Sequence, residues 1–363
     1  MARILIVAPN WVGDTLLAQP LLGRLHQRLP GAVIDALAPA WTAPLLSRMP
    51  EITEVIATPF VHGPLQLRER WQFGRALRAR AYHSAIVLPN TFKSALIPFF
   101  ADIALRVGFV GESRYGLLNV LHKLNAKKTP LMAERYARLA ENPGEKSAPP
   151  LTKCTLRVDQ TNILITVERL GLDRSRPVVI LCPGAEYGPA KRWPTRNFAE
   201  LARRLAERGR AVWLLGSAKE RDLGEEIVRF AKADAINLCG KTDLATAIDL
   251  MSVAQLVVSN DSGLMHIAAA LDIPLVGLYG SSSTEHTPPM SDRVQIARIK
   301  DLPCSPCYAR ECPLGHFRCL NELTSEQVIR EIDTITARHN HNETQSLRDA
   351  ITAAQKGKNE AGL

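Results

Sequence analysis

The chain twice repeats a series of short apolar runs that alternate with helical periodicity. The first series begins with Arg3–Pro9, which reads Arg-Ile-Leu-Ile-Val-Ala-Pro, and the second begins at Pro177 with Pro-Val-Val-Ile-Leu-Cys. Strands that are apolar throughout, each followed by a helix, are typical of parallel sheets with both faces covered. The pattern therefore predicts an α/β fold with two Rossmann-like, doubly wound parallel-sheet domains.

A stretch rich in proline and glycine separates the two series. Residues 142–150 read Asn-Pro-Gly-Glu-Lys-Ser-Ala-Pro-Pro and are the most linker-like part of the chain. A length of 363 residues also suits two domains. Because open α/β sheets bind ligands at the carboxyl ends of their strands, we expect the site in the cleft between the domains. The predicted units are a first domain over 1–150, a linker and domain entry over 151–176, a second domain over 177–323, a C-terminal helix over 324–339 and a polar tail over 340–363.

Positive charge is concentrated in the first domain. The formal net charge is +9, and residues 61–140 hold thirteen lysines and arginines against four acidic residues, which accounts for the whole excess. A one-sided field favours an anionic partner, which is a nucleic acid, an anionic membrane or a phosphorylated substrate. An ordinary solvated basic surface is the alternative.

No apolar run reaches the ~18–20 residues of a membrane-spanning helix. The longest, residues 95–105, is interrupted by Pro98 and Asp102. The N-terminus lacks the longer apolar region and the cleavage site of a secretory signal. We therefore expect a soluble, intracellular protein.

Four of the seven cysteines lie close together in the sequence, at Cys304, Cys307, Cys312 and Cys319, with His316 before the last. A Cys-x-x-Cys pair can chelate a metal ion, and a later cysteine or histidine can complete a tetrahedral site. A redox-sensitive loop and four unligated thiols are the alternatives. A catalytic role is not expected.

The turn after the first strand reads Asn10-Trp11-Val-Gly-Asp14 and places Asp14 in the first turn of a helix that faces the cleft. A carboxylate there can stabilise the helix N-terminus. Alternatively, it can act as a general base that accepts a proton from a sugar hydroxyl.

The second domain contains the candidate phosphate-binding residues. The chain has no G-x-G-x-x-G after either first strand and no P-loop motif, which argues against dinucleotide oxidoreduction and P-loop NTP hydrolysis. Instead, Ser262 and Gly263 leave backbone N–H groups open at a helix N-terminus, where a diphosphate is stabilised. Asp261 would repel phosphate, so it is interpreted as capping the turn or holding a hydroxyl. His266 either reaches a phosphate or hydroxyl or is a satisfied core histidine.

Two further loops of the second domain carry charged side chains. Lys191 lies in the loop 183–194 and supplies positive charge for a β-phosphate, unless the loop is an ordinary solvated surface. Glu220 follows Gly216-Ser217 and is placed either to bind ribose hydroxyls or merely to favour a helix start.

Seven segments in order resemble the ADP-heptose:lipopolysaccharide heptosyltransferases, and the resemblance covers about residues 1–330. The segments are Trp11-Val-Gly-Asp14, Ala38-Pro-Ala-Trp41, Leu45-Leu-Ser-Arg-Met-Pro50, Leu88-Pro-Asn-Thr-Phe-Lys-Ser-Ala95, Arg114-Tyr-Gly-Leu-Leu-Asn119, Pro183-Gly-Ala-Glu-Tyr-Gly-Pro-Ala-Lys-Arg-Trp-Pro194 and Asn260-Asp-Ser-Gly-Leu-Met-His266.

The resemblance implies a GT-B glycosyltransferase with the acceptor in the first domain, ADP-heptose in the second and a final helix that crosses back. The implied reaction is an inverting, metal-independent transfer of L-glycero-D-manno-heptose to the first heptose of a lipid A–Kdo–heptose acceptor. One alternative is an enzyme of the same family that acts on Kdo-lipid A. A basic, non-enzymatic nucleic-acid-binding protein is the remote alternative, because the basic window lacks regularly interleaved aromatic residues.

The resemblance also implies residue roles. Asp14 matches the catalytic base and Lys191 the lysine that contacts the diphosphate. The residues expected to bind the donor are Glu186, Tyr187, Gly216, Ser217, Glu220, Thr242, Asp261, Ser262, Gly263 and His266. Those expected to bind the acceptor are Asn10, Trp11, Lys93 and Arg114.

No cofactor is expected beyond the donor substrate, apart from the structural metal considered for the four cysteines. Since some relatives have such a cysteine-rich insert and others lack it, the core reaction should not need it. The basic window is expected to match the anionic groups of the acceptor and the inner face of the inner membrane, with the protein cytoplasmic and peripheral. The run Leu96–Phe100 is expected either to touch acyl chains or to belong to the core.

Overall fold

A computed structural model describes residues 2–61, 63–145 and 149–338. The predicted polar tail, 340–363, lies outside these residues, as does the last residue of the predicted C-terminal helix.

The first domain is built on a six-stranded parallel sheet in the order β3-β2-β1-β4-β5-β6. This order reverses between β1 and β4, as in dinucleotide-binding folds. The strands are β1 (Arg3–Val7), β2 (Val33–Pro39), β3 (Glu54–Thr58), β4 (Ser84–Val87), β5 (Leu105–Phe109) and β6 (Val120–His122). The helices are α1 (Val12–Leu17), α2 (Gln19–Arg28), α3 (Ala43–Leu46), α4 (Leu67–Leu77), α5 (Phe92–Phe100) and α6 (Met132–Ala137).

The second domain repeats the same topology, with the sheet order β12-β11-β10-β7-β8-β9. Its strands are β7 (Val178–Cys182), β8 (Ala211–Leu214), β9 (Ala235–Asn237), β10 (Leu256–Asn260), β11 (Leu275–Leu278) and β12 (Val294–Ala297). Its helices are α7 (Gln160–Arg169), α8 (Thr195–Glu207), α9 (Arg221–Ala231), α10 (Leu244–Met251), α11 (Gly263–Ala270), α12 (Arg318–Asn321) and α13 (residues 325–338). Two parallel sheets covered by helices confirm the predicted fold class.

The two domains meet where α1 and α11 begin. A side chain on Gly263 would place its Cβ 2.7 Å from the Cβ of Val12, and one on Gly13 would lie 3.0 Å from the ring of His266. Gly263 is therefore required for this close approach, and at Gly13 an added Cβ would fit tightly against the imidazole. Behind them, Leu16 of α1 and buried residues of α11 belong to one continuous apolar cluster that includes strands of both sheets.

Polar contacts across the connecting segment also join the domains. Buried Asp249 on α10 accepts hydrogen bonds from Arg48 (2.6 Å), from the backbone of Asp159 (2.9 Å) and from Asn162 (2.7 Å). The side chain of Gln19 on α2 bonds the carbonyl of Thr155 at 2.8 Å and accepts from its N–H at 3.0 Å. The segment between the sheets is thus anchored to both domains.

Helix α13 begins at a capping box, as its sequence predicts. Gln327 N–H donates to Thr324 Oγ1 at 3.3 Å, and Thr324 N–H donates to Gln327 Oε1 at 2.8 Å. The buried side chains of α13, Val328, Ile329 and Ile332 among them, pack in the core of the second domain. The crossing back to the first domain that the resemblance implies stays a prediction.

Among the described residues, none of the helices combines the length and the apolar character that crossing a membrane requires. The run Leu96–Phe100 lies in α5, where Leu96, Ile97 and Pro98 are buried and Phe99 is 41% exposed. Most of this run therefore belongs to the core of the first domain.

Candidate active site

Asp14 lies in the first turn of α1 and faces charged residues of the second domain. Burial raises the pKa of its carboxyl above the usual value, while the positive charges of His286 and Lys191 lower it and the charge of Asp261 raises it. All three of these neighbours come from the second domain. The half-buried carboxylate of Asp14 thus lies between the two halves of the protein.

Lys191 and Asp261 form an ion pair opposite Asp14. Lys191 Nζ lies 2.6 Å from Asp261 Oδ2, and both side chains are shielded, with 17% and 4% exposure. Ser282 Oγ donates to the same carboxylate oxygen. An ammonium has three N–H donors, so two of those of Lys191 are not engaged by Asp261.

The N-terminus of α11 provides uncapped backbone N–H groups beside this ion pair. Ser262 is the N-cap residue with extended backbone, and its side chain makes no capping hydrogen bond. Its hydroxyl lies instead 3.3 Å from Ser259 Oγ. Open N–H groups and the helix dipole favour an anion at this position.

His266 is buried one turn into α11 against Gly13. Burial lowers the pKa of its imidazole to about 4, so the ring is neutral near pH 7. Its Nδ1 is buried and has no hydrogen-bond partner among the described residues. His266 therefore lies in the core. It is not, however, the fully hydrogen-bonded core histidine that sequence analysis offered as an alternative.

Glu220 is held in a capping box at the carboxyl end of β8. Its Oε2 accepts from Ser217 N–H at 2.8 Å and from the Ser217 hydroxyl. The buried carboxylate also lies against Gly184, where an added Cβ would be 2.8 Å from Glu220 Cδ. The structure shows the helix-start role of Glu220, while its Oε1 makes no hydrogen bond within the described part of the chain.

The remaining candidate donor residues lie on neighbouring loops of the same sheet edge. Gly240 N–H donates to the carbonyl of Gly216 at 3.0 Å, which places the loop carrying half-buried Thr242 beside that of Ser217. Glu186 pairs with Lys219 at 2.5 Å. The ring centre of Tyr187 lies 5.1 Å from Lys191 Nζ.

The first domain has a pocket at the carboxyl ends of β1, β2 and β4. Asn10 and Lys93 line it together with Trp41, Phe60 and Arg70, among others. Lys93 Nζ donates to the carbonyl of Gly63 at 3.0 Å. Trp11 is 48% exposed and does not line this pocket. Asn10 and Lys93 are thus brought together, and Trp11 stands apart at the entrance to α1.

Arg114 does not lie at a surface that an acceptor can reach, and the expectation for this residue is corrected. Its side chain is 1% exposed. Its guanidinium donates to the carbonyls of Pro89 (2.8 Å), Phe109 (2.5 Å) and Gly111 (3.3 Å) and to the side chain of Asn90. Arg114 instead fixes the loop after β4 to the loop after β5.

The proposed structural metal at the four cysteines is not supported. Within residues 2–61, 63–145 and 149–338, no group of three or more His, Cys, Asp or Glu side chains is arranged to hold a metal ion. Cys304, Cys307, Cys312 and Cys319 are free thiols. The backbone N–H of Phe317 donates to Cys312 Sγ at 3.4 Å, and bonds of this kind lower the pKa of that thiol.

Sequence analysis missed His286, whose charge lowers the pKa of Asp14. It lies in the loop after β11, and its backbone carbonyl accepts from Met132 N–H at 2.9 Å. Its Nδ1 lies 2.8 Å from the carbonyl of Pro130 and donates to it. In the sequence, the only indication that His286 lies near the site is its place in a loop that follows a strand.

Comparison with known proteins gives a consistent result. The profile of glycosyltransferase family 9 (heptosyltransferase) matches residues 70–318. Lipopolysaccharide heptosyltransferase 2 of Escherichia coli strain K12 is 43% identical over 342 residues, covering 92% of this chain and 98% of that protein. The Salmonella typhimurium protein of the same name is 44% identical, with the same coverage. The solved structure of E. coli ADP-heptose lps heptosyltransferase II superposes with a TM-score of 0.84 at 40% identity, over 94% of this chain and 100% of that one.

Replacing Arg114 tests its structural role. We expect R114A to lower the free energy of unfolding by about 3 kcal/mol or more, because each buried carbonyl left without a donor costs about 1–3 kcal/mol. Urea denaturation followed by circular dichroism measures this change. The matched control is R68A, an exposed arginine on α4, for which a change of only about 0.5 kcal/mol is expected. Equal stability of the two variants would contradict the role assigned to Arg114.

Proposed function

The chain belongs to glycosyltransferase family 9, the heptosyltransferases, and we propose that it transfers L-glycero-D-manno-heptose from ADP-heptose to the first heptose of the lipopolysaccharide inner core. Its architecture is the GT-B arrangement of two Rossmann-like domains that face each other across a cleft. The identity of 43% to a lipopolysaccharide heptosyltransferase 2 supports this substrate choice over the alternative acceptor, Kdo-lipid A.

One observation carries the proposal. The half-buried carboxylate of Asp14, from the first domain, faces the Lys191–Asp261 pair and the open N-terminus of α11 in the second. An inverting transfer needs a base on the acceptor side and positive charge on the leaving-group side. The cleft supplies both from opposite walls.

Asp14 is the proposed general base. It accepts the proton of the acceptor hydroxyl as that oxygen attacks the anomeric carbon of the donor in line with the departing ADP. Desolvation raises the pKa of Asp14 toward the operating pH, which strengthens the carboxylate as a base. The packing of α1 on α11 fixes its position relative to the donor site.

Lys191 and the N-terminus of α11 are proposed to stabilise the negative charge that develops on ADP. The ion pair with Asp261 holds the ammonium in place, and its two remaining N–H donors are available to diphosphate oxygens. The positive charge at the leaving group then comes from the chain itself rather than from a metal ion. The loops that carry Glu186, Tyr187, Ser217, Glu220 and Thr242 form the proposed nucleoside side of the donor site.

The acceptor is proposed to lie in the first domain, in the pocket that Asn10 and Lys93 line. A second pocket next to α6 is lined by Lys123, Lys128, Arg135 and Arg138, and it supplies positive charge for phosphate or carboxylate groups of the acceptor. Four of the thirteen basic residues in 61–140 line this pocket, which also contains Glu141 and Glu145.

Peripheral association with the inner face of the inner membrane is proposed from the same domain. Leu67 and Trp71 on α4 and Phe99 on α5 are exposed, and Arg68 and Arg75 lie on the same helix as the first two. Apolar side chains interleaved with cations suit an anionic lipid surface, with about 1 kcal/mol contributed by each basic residue near it.

The choice of acceptor is tested with purified protein and ADP-heptose. We expect a mass increase of one heptose on heptosyl-Kdo-lipid A and none on Kdo-lipid A, measured by mass spectrometry. Turnover on Kdo-lipid A alone would establish the alternative heptosyltransferase reaction. No turnover on either acceptor would contradict the proposed function.

Removing the charge of Asp14 separates catalysis from stability. We expect D14N to lower kcat by about 10²–10⁴-fold, the usual contribution of a general base, with the Kd for ADP little changed. Because the folded-state pKa is raised, the protonated carboxyl stabilises the fold at acidic pH, and this contribution is lost as pH rises through that pKa. The melting temperature of D14N at pH 7 should therefore be no lower than that of the wild type. A D14N protein with full activity would exclude Asp14 as the base.

The wild-type pH profile should have an acidic limb in log kcat/KM that lies above the usual aspartate range near pH ~3.9, since the base form of Asp14 is required.

For Lys191, K191A should both weaken ADP binding, measured by calorimetry, and reduce kcat. The matched control is K232A, an exposed lysine at the C-terminal end of α9. Kinetics unchanged in K191A would remove Lys191 from the site.

A further inference from the structure

We infer that the cysteine-rich segment, residues 304–319, braces the donor site and that Arg310 is a positioning residue for Lys191. This inference rests on the proposed function, because it assigns Arg310 a role in binding the nucleotide donor. It also reverses the expectation that the reaction does not need this segment.

Both the backbone and the side chain of Arg310 form hydrogen bonds with the loop that carries Lys191. Its carbonyl accepts from Ala190 N–H at 3.1 Å, and its Nε donates to the carbonyl of Tyr187 at 2.8 Å. Between these two bonds lies Gly188, where an added Cβ would be 2.4 Å from the carbonyl oxygen of Arg310. The two loops are therefore in direct backbone contact, which only glycine permits.

The ring of Tyr187 connects Arg310 with Lys191. The guanidinium carbon of Arg310 lies 5.4 Å from the ring centre, and Lys191 Nζ lies 5.1 Å from it. Tyr187 Oη donates to the carbonyl of Tyr308 at 2.8 Å, which ties the ring to the cysteine-rich segment a second time. The aromatic face that contacts the ammonium of Lys191 is thus fixed by residues 308 and 310.

The same segment holds the other partner of the ion pair. Tyr308 N–H donates to the carbonyl of Ser281 at 2.7 Å, and Ser305 Oγ donates to that of Gly280 at 2.7 Å. Ser282, which follows Ser281 in the chain, donates its hydroxyl to Asp261. The segment therefore supports both Lys191 and the serine that orients Asp261, without itself contacting Asp14.

Removing the side chain of Arg310 tests this arrangement in the full-length protein. We expect R310A to raise the Kd for ADP and the KM for ADP-heptose by about three- to tenfold, because only part of the contribution of one exposed cation–π contact and one hydrogen bond reaches the nucleotide through Lys191. The control is R318A in the same segment, whose exposed side chain pairs with Glu322 and touches neither donor loop. R318A should leave both constants unchanged.

A double-mutant cycle shows whether Arg310 acts through Lys191. If it does, R310A has no further effect on ADP binding in a K191A background, so the two losses are not additive. Equal losses with and without Lys191 would overturn the inference, as would an R310A protein that binds ADP like the wild type. A general loss of structure is excluded by an unchanged melting temperature.

A second variant and a measurement without ligand keep the outcome decisive. G188A forces the two backbones apart without removing any charge. If R310A does not fold, G188A takes its place in the test, and it should likewise weaken ADP binding. In the unliganded protein, R310A should speed hydrogen exchange in a peptide covering residues 187–191, and unchanged exchange would contradict the brace. This last result does not depend on heptosyl transfer, so it separates failure of the inference from failure of the proposed function.

Discussion

The contact between the first turns of α1 and α11 is the constraint on which the site depends. Gly13 and Gly263 allow the two helices to approach until Val12 and His266 touch the opposite backbone. Each helix follows a strand at the carboxyl edge of its own sheet, so this contact brings two such edges together. It shields Asp14 in part from water and sets it opposite Lys191 and Asp261. A side chain at Gly263 would push the first turns of α1 and α11 apart.

Burial shifts the pKa values of two side chains of the cleft in opposite directions. Asp14 has a raised pKa and His266 a lowered one, and burial is the main cause in both cases. His266 therefore adds no charge near pH 7, whereas Lys191 and the N-terminus of α11 supply positive charge on this side of the cleft.

The sequence predicts the fold class because strand alternation and apolar patterning are local signals. It also predicts the loops of the donor half, since these follow strands whose carboxyl ends share one edge. It does not predict β5 and β12, where Arg106, Gly108 and Gln295 interrupt the apolar runs, or β6, which has only three residues. The helical segment after β1 forms two helices that divide at Ala18, because Pro20 lies in the first turn of α2.

Long-range pairing is the part that sequence reasoning could not supply. An arginine in a motif is equally compatible with binding a substrate and with holding two loops, and only burial shows that Arg114 does the latter. The nearness of His286 to Asp14 depends on how two domains pack, which no local pattern encodes. The Lys191–Asp261 pair has a further consequence for turnover. In the proposed donor site, Asp261 keeps the ammonium paired both before the nucleotide binds and after it leaves, so the shielded Lys191 never lacks a counter-charge.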